Sequence, residues 1–124
     1  MPKAIKITAG QIKVAAELND SPTSKSIFDA LPIEAKGSRW GGEIYFSISV
    51  EAGLEADSRD VLEAGELGYW PTGNAFCIFF GPTPASQADE IRAASAVNII
   101  GKVKGDLSQF RKVPDRADVL IEAG

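Results

Sequence analysis

Residues 43–50 read EIYFSISV and carry a strong strand pattern. Apolar and polar residues alternate along it, which is the period of a β-strand with one buried face. The predicted core-facing positions are Ile44, Phe46, Ile48 and Val50. The predicted positions of the opposite face are Glu43, Tyr45 and Ser47. A strand of this kind predicts a sheet that packs one face on a core and leaves the other available.

Residues 75–80 read AFCIFF and form the second strong strand pattern. Phe76, Ile78 and Phe80 are predicted to share the core face, which leaves Cys77 and Phe79 on the opposite face. A Thr-Gly-Asn turn precedes this strand and a Gly-Pro pair ends it. Just before that turn, residues 67–70 form a short strand in which Tyr69 is predicted inward and Trp70 outward.

Shorter patterns complete the chain on both sides of these strands. Ser21 followed by a proline is a typical helix start, and it predicts a helix over residues 21–31. The other predicted strands are 4–8 and 11–18 as a hairpin, 96–103, and 117–122. The predicted loops are 34–42 and 84–94; segment 52–64 is predicted to hold at most a helical turn, and Asp106 to cap a short helix. Seven or eight strands with one or two short helices favour an all-β sandwich or barrel.

Length and charge restrict the class of protein. The chain has 124 residues, 44% of them hydrophobic and 24% charged, which predicts a single globular domain over residues 1–124. Its net charge of −4 disfavours nucleic acid as a partner. No apolar run has the length of a membrane span or a signal peptide. Cys77 is the only cysteine, so no internal disulfide forms, and we expect a cytoplasmic protein with a packed, inert thiol.

The chain contains no histidine, which restricts its chemistry. Ser-His-Asp and Cys-His catalysis are excluded within the chain, as are zinc sites of the usual Cys/His type. We therefore predict no metal and no cofactor. Carboxylate, Lys, Tyr or Arg chemistry remains possible, and so does binding without catalysis.

Three segments, in the same order, resemble the cyclophilins, the family of peptidyl-prolyl isomerases. Residues 17–31 are similar to the strand, turn and helix that open a cyclophilin. Residues 73–78 with the later Thr83-Pro84 resemble the family's Gly-Ser-Gln-Phe-Phe-Ile strand and its Thr-Pro turn. Residues 97–103 with 107–113 resemble its His-Val-Val-Phe-Gly-Lys-Val strand and the helical turn that follows.

Two further blocks, residues 40–47 and 68–71, are not typical of isomerases and resemble a group of minimal cyclophilin-like barrels found in prokaryotes. This resemblance implies a closed eight-stranded β-barrel with a shallow groove on its outer surface. Since an eight-stranded barrel has room inside only for side chains, we expect the interior to be filled.

Transfer of the isomerase site leaves most of the proline pocket unmatched. The resemblance places Arg39 at the catalytic arginine, Tyr45 near the groove glutamine and Val97 at the groove histidine. Residues 85–95 hold no tryptophan where the family has one. The alternative for Arg39 is a structural arginine that pairs with an acid or stacks on Trp40. The alternative for Trp70 is that it covers an end of the barrel, and that for Glu43 is an ordinary exposed carboxylate.

We predict a binding domain of unassigned function that uses the outer groove, with no nucleic-acid or membrane partner. The predicted groove residues are Arg39, Glu43, Tyr45, Trp70, Cys77 and Phe79. A cation, a carboxylate and aromatic rings suit a peptide or a small polar ligand. The alternative function is a weak peptidyl-prolyl cis-trans isomerase.

Overall fold

The computed structural model describes residues 2–124. Nine strands, one α-helix and two short 3₁₀ helices are present in this part of the chain. The strands are β1 (Lys3–Ala9), β2 (Ile12–Leu18), β3 (Ile33–Trp40), β4 (Glu43–Ser47), β5 (Arg59–Leu62), β6 (Glu66–Trp70), β7 (Ala75–Phe79), β8 (Ile91–Val103) and β9 (Ala117–Ala123). The helices are α1 (Pro22–Asp29) and the 3₁₀ helices Pro71–Gly73 and Leu107–Lys112.

Eight of the strands form a closed ring of antiparallel pairs. The order is β2-β1-β9-β3-β4-β7-β6-β8, and a pairing between β2 and β8 closes it. The ninth strand, β5, lies outside the ring and pairs with the first half of β8. The predicted all-β fold with a closed ring of eight strands is therefore confirmed, with β5 as an addition.

Closure of the ring depends on a very close approach of two backbones. Gly101 of β8 lies opposite Leu18 of β2. A Cβ atom at position 101 would come within 2.0 Å of the carbonyl oxygen of Glu17. Only glycine lets the last pair of strands meet at this distance.

The inside of the ring is packed with side chains from all around the barrel. Phe46 and Phe76 stack with ring centroids 5.3 Å apart, and Phe80 and Phe110 stack at 5.5 Å. The largest fully buried side chains of this core are Tyr69, Phe76, Phe110, Ile5, Ile7, Leu18, Ile27, Ile44, Leu67, Ile78 and Ile100. The predicted core positions Ile44, Phe46, Phe76, Ile78 and Phe80 are confirmed as members of this cluster.

The predicted helix is confirmed, and its polar start fixes it to the barrel. Ser21 is the N-cap, and its side chain accepts a hydrogen bond from the backbone N–H of Ser24. The Ser24 hydroxyl donates to the carbonyl of Ile100 at 2.8 Å, while Ile27 inserts into the core.

Within residues 2–124 no helix is long and apolar enough to cross a membrane.

Four predictions of local structure were wrong. The strand predicted over residues 43–50 ends at Ser47. In the other three cases strand pairing supplied what the local pattern lacked. Residues 33–40, predicted as loop from position 34, form β3, in which Gly37 leaves room for Ile44 and Val119: a Cβ there would come within 2.8 and 2.9 Å of their side chains. Residues 59–62, predicted as a possible helical turn, form β5. Strand β8 begins at Ile91 instead of residue 96, because β5 pairs with its first half.

Candidate functional site

The outer faces of β4, β6 and β7 carry a second, smaller apolar core. Strand β5 and the first half of β8 fold over these faces and bury them. The buried members of this outer cluster are Leu62, Ala75, Cys77, Phe79, Ile91, Ala93 and Val97. Tyr45, Trp70 and Ile99 pack against it while remaining partly exposed.

Cys77 and Phe79 do point away from the barrel interior, but they do not line a groove. The exposed fractions are 1% for Cys77 and 0% for Phe79, since the β5–β8 layer covers both. Neither residue borders the open space described next. Their placement in a groove was therefore wrong, because alternation identifies the face of a residue and not what covers that face.

A pocket of about 270 Å³ remains open at the edge of the outer cluster. Its walls come from the end of β3, from β4, from the end of β6 and from β8. The lining residues are Trp40, Glu43, Tyr45, Trp70, Ala93, Ala94 and Val97. Glu43, Tyr45 and Trp70, three of the predicted site residues, are thus brought together around one space. We refer to it below as the aromatic pocket.

The turn between β3 and β4 places two of these residues side by side. Trp40 and Glu43 are paired across it, with only residues 41 and 42 between them. The turn is held by the chain after β7: the N–H of Phe80 donates to the carbonyl of Gly42 at 2.8 Å, and the N–H of Gly42 donates to the carbonyl of Pro82 at 2.7 Å. The relative position of Trp40 and Glu43 is therefore fixed by backbone contacts.

Trp40 was missing from the predicted site. From the sequence it was named only as the ring on which Arg39 stacks in the structural alternative for that arginine. A Gly-Gly pair between two strands is a signal for a two-residue hairpin turn, and that turn would have placed Trp40 beside Glu43.

The indole of Trp70 is held at two points. Its N–H donates to the hydroxyl of Ser95 on β8 at 2.6 Å. Its six-membered ring lies over Gly73, where a Cβ atom would come within 2.9 Å of the ring carbons Cε3 and Cζ3. Trp70 therefore presents a fixed ring to the pocket and has no N–H left for a ligand.

Glu43 is the charged residue of the pocket, and it is nearly buried. Its exposed fraction is 6%, in contrast to the exposed carboxylate considered from the sequence. Burial raises the pKa of Glu43 from 4.5 to about 7, and a hydrogen bond with Cys77 opposes this in part. At neutral pH the carboxyl group is therefore close to its midpoint of ionisation.

The neighbouring thiol belongs to the same buried unit. Burial, and secondly the negative charge of Glu43, raise the pKa of Cys77 well above its ordinary value. A thiol in this state stays protonated at neutral pH and is a poor nucleophile. Cys77 is the packed thiol that the sequence predicted.

Arg39 lies close to the pocket along the chain but points elsewhere. Its guanidinium donates to the carbonyl of Val113 at 2.7 Å and to the carbonyl of Gly41 at 3.1 Å. It also lies 5.1 Å from the ring centroid of Phe80. Arg39 is not among the residues that line the pocket, so its assignment to the same site as Tyr45 and Trp70 was wrong. Strand β3 turns this side chain toward the segment after the last 3₁₀ helix.

The arrangement can hold an apolar group between aromatic rings and bind a polar group at one carboxyl. Within residues 2–124 no group of three or more His, Cys, Asp or Glu side chains converges as a metal site would require. Among the lining side chains, the groups that can donate or accept a hydrogen bond and that have not been assigned to a protein partner above are the carboxyl of Glu43, the hydroxyl of Tyr45 and the indole N–H of Trp40.

Comparison with known proteins agrees with this fold. A family model described as Cyclophilin-like matches residues 3–122. The solution structure of a hypothetical protein from Archaeoglobus fulgidus is similar, with a TM-score of 0.83 and 38% sequence identity over 99% of this chain and 95% of that one. No curated protein matches the chain. On the family match and the closed ring of strands, the chain belongs to the cyclophilin-like family.

Proposed function

We infer that this domain binds a small ligand in the aromatic pocket on the outer face of the barrel. The observation that carries the proposal is the union of three aromatic side chains and one nearly buried carboxyl around a concave space of about 270 Å³. Small-molecule sites in proteins are typically concave and mostly apolar, with few polar groups that orient the ligand.

The barrel interior is packed with buried side chains, as expected for a ring of eight strands. Its walls meet across stacked phenylalanine pairs, and its aliphatic side chains are fully buried. A pocket of about 270 Å³ lies just below the range of about 300–1,000 Å³ for drug-sized ligands. It therefore suits a small molecule, or a single side chain of a peptide.

The alternative, proline isomerisation, has less support. The guanidinium of Arg39, the predicted catalytic residue, donates hydrogen bonds to the carbonyls of Val113 and Gly41. A guanidinium that must bond a prolyl nitrogen in the aromatic pocket would first have to leave both. The alternative stays a prediction, and a direct assay for it is given in the Discussion.

The proposal can be tested by blocking the pocket without touching either core. Ala94 is exposed and borders the pocket, so Ala94→Phe would fill it. Ala56→Phe is the matched control, since Ala56 is exposed on the loop before β5 and does not border the pocket.

The measurement is a thermal-shift screen of small aromatic and aliphatic compounds that carry an amine, a hydroxyl or a carboxylate. A ligand that binds the native state raises the melting temperature. We expect hits that are retained by Ala56→Phe and lost by Ala94→Phe. Hits that survive Ala94→Phe, or a screen without hits, would contradict the proposal.

A further inference from the structure

The carboxyl group of Glu43 lacks a positive partner within the protein. None of the salt bridges formed within residues 2–124 involves Glu43. The neighbouring thiol of Cys77 stays protonated and uncharged at neutral pH, so it supplies no positive charge to Glu43. Burying a carboxylate without a cation or a full set of hydrogen bonds is costly, so such a group is usually paired.

The walls around this carboxyl favour a cation over an anion. No lysine or arginine lines the pocket. Trp40, Tyr45 and Trp70 do line it, and the faces of aromatic rings attract cations, Trp most strongly. The indole N–H of Trp70 is already bonded to Ser95, so this ring offers a ligand its π system and not a donor.

The remaining walls are apolar. Ala93, Ala94 and Val97 of β8 close the pocket on the side of the outer cluster. A ligand that fills about 270 Å³ therefore needs an apolar body as well as its charged group. A fully hydrated inorganic cation would leave this apolar wall uncovered.

We propose that the aromatic pocket recognises a protonated amine on an apolar stem, with the carboxylate of Glu43 pairing with the ammonium and the rings of Trp40, Tyr45 and Trp70 surrounding it. This inference rests on the proposed function and names the chemical class of its ligand. The ammonium supplies the positive partner that the protein itself does not give to Glu43, and the apolar stem covers the wall formed by β8.

The test compares three probes of nearly the same size: phenethylamine, phenethyl alcohol and hydrocinnamate. Affinity is measured by isothermal titration at pH 8, above the pKa of Glu43, so that the carboxylate is charged. We expect the amine to bind about tenfold or more tightly than the alcohol, and the anion to bind most weakly.

Two variants separate recognition of charge from the shape of the pocket. Glu43→Gln keeps the size and polarity of the side chain but removes its charge. We expect this variant to bind the amine about tenfold or more weakly than the parent protein does, with its affinity for the alcohol unchanged. Glu34→Gln is the matched control, since Glu34 is exposed and lies outside the pocket. The same titration with Nα-acetyl-lysinamide tests whether the ammonium of the ligand belongs to a lysine side chain. Tighter binding of this compound than of phenethylamine would assign it to lysine.

The outcomes for the two proposals are distinguishable. The alcohol or the anion could bind as tightly as the amine or more tightly, with this binding lost in Ala94→Phe. That result would contradict the amine proposal and still support ligand binding in the pocket. An amine affinity that Glu43→Gln does not change would do the same. Absence of binding by all probes would overturn the amine proposal, and an empty thermal-shift screen would then overturn the pocket as well.

Discussion

The two faces of strand β7 show how one strand serves stability and a candidate site at once. Inward, Phe76 stacks on Phe46 within a core closed on all sides by the ring of strands. Outward, Cys77 and Phe79 lie in a thin cluster that is covered only by β5 and part of β8. That cover stops short of Trp40, Tyr45 and Trp70, and the gap is the aromatic pocket. The closed ring of strands packs its interior with side chains. The partial layer formed by β5 and β8 instead leaves an open space beside the nearly buried carboxyl of Glu43.

The largest expected effect comes from breaking the inner face. Phe76→Ala removes a fully buried ring, and we expect it to lower the free energy of unfolding by about 3–5 kcal/mol. That is a large part of the stability of about 5–15 kcal/mol of an ordinary domain. Tyr45→Ala, on the pocket wall, should cost about 1 kcal/mol. Urea denaturation of both variants measures the difference, and equal costs would contradict the contrast between the two faces.

The second effect is a pH dependence that arises on the outer face alone. Because the pKa of Glu43 rises from 4.5 to about 7 on folding, the native state holds a proton that the unfolded chain has released in this window. The contribution of Glu43 to the free energy of unfolding should therefore be most favourable below pH 4.5. It should fall as the pH rises through 7, by up to about 3 kcal/mol in total.

Glu43→Gln isolates this contribution, because the amide mimics the protonated acid at every pH. The variant should resemble the parent protein at pH 4.5 and be more stable than it at pH 8, as measured by urea denaturation at both values. Glu34→Gln is the control with an exposed carboxylate. A variant that tracks the parent protein at both pH values would show that Glu43 is not desolvated.

A smaller effect is expected where the pocket touches a turn. The Cβ atom of Gly73→Ala would press on the Trp70 ring from 2.9 Å, so the indole must shift by a few tenths of an ångström. We expect a change in tryptophan emission with less than about 1 kcal/mol of lost stability. Gly53→Ala is the control, because nothing lies within 4 Å of its Cβ position. An emission spectrum that matches the control would indicate that Trp70 is not held against residue 73.

The smallest expected effect is on proline isomerisation. Uncatalysed isomerisation takes about 10–100 s at 25 °C, so a protease-coupled peptide assay resolves modest catalysis. We expect slow or absent acceleration, because Arg39 is bound to backbone carbonyls away from the pocket. Robust acceleration that disappears in Arg39→Ala would instead support the isomerase alternative.

The sequence predicted the inner face well because inner contacts follow from alternation within each strand. Residues 43–50 and 75–80 carry large apolar side chains at every second position, and Ser21 with Pro22 starts the helix by local hydrogen bonding. These signals do not depend on distant parts of the chain. The same patterns placed Tyr69 inward and Trp70 outward, as the structure has them.

The outer face was harder to predict because its cover comes from distant segments. Leu62 of β5 meets Ile91 of β8, and no local pattern indicates that this pair will lie over Cys77 and Phe79. The direction of the Arg39 side chain depended on β3, where Arg39 pairs with the inward-facing Ile44, and the sequence pattern had predicted a loop there. The placement of Trp40 beside Glu43 depended on the strand register across a two-residue turn, and the Gly-Gly pair was a sequence signal for that turn.

The chain has two tryptophans, and both line the aromatic pocket. Their indole N–H resonances in a ¹⁵N–¹H correlation spectrum therefore report on this one site, and no tryptophan-free background is required. The most direct test of the site is to titrate each compound that raises the melting temperature into ¹⁵N-labelled protein. We predict that both indole resonances and the amides of Glu43 and Val97 shift together and saturate with one dissociation constant. Stabilising compounds that leave both indoles unmoved while shifting other amides would place the binding site elsewhere and contradict this assignment.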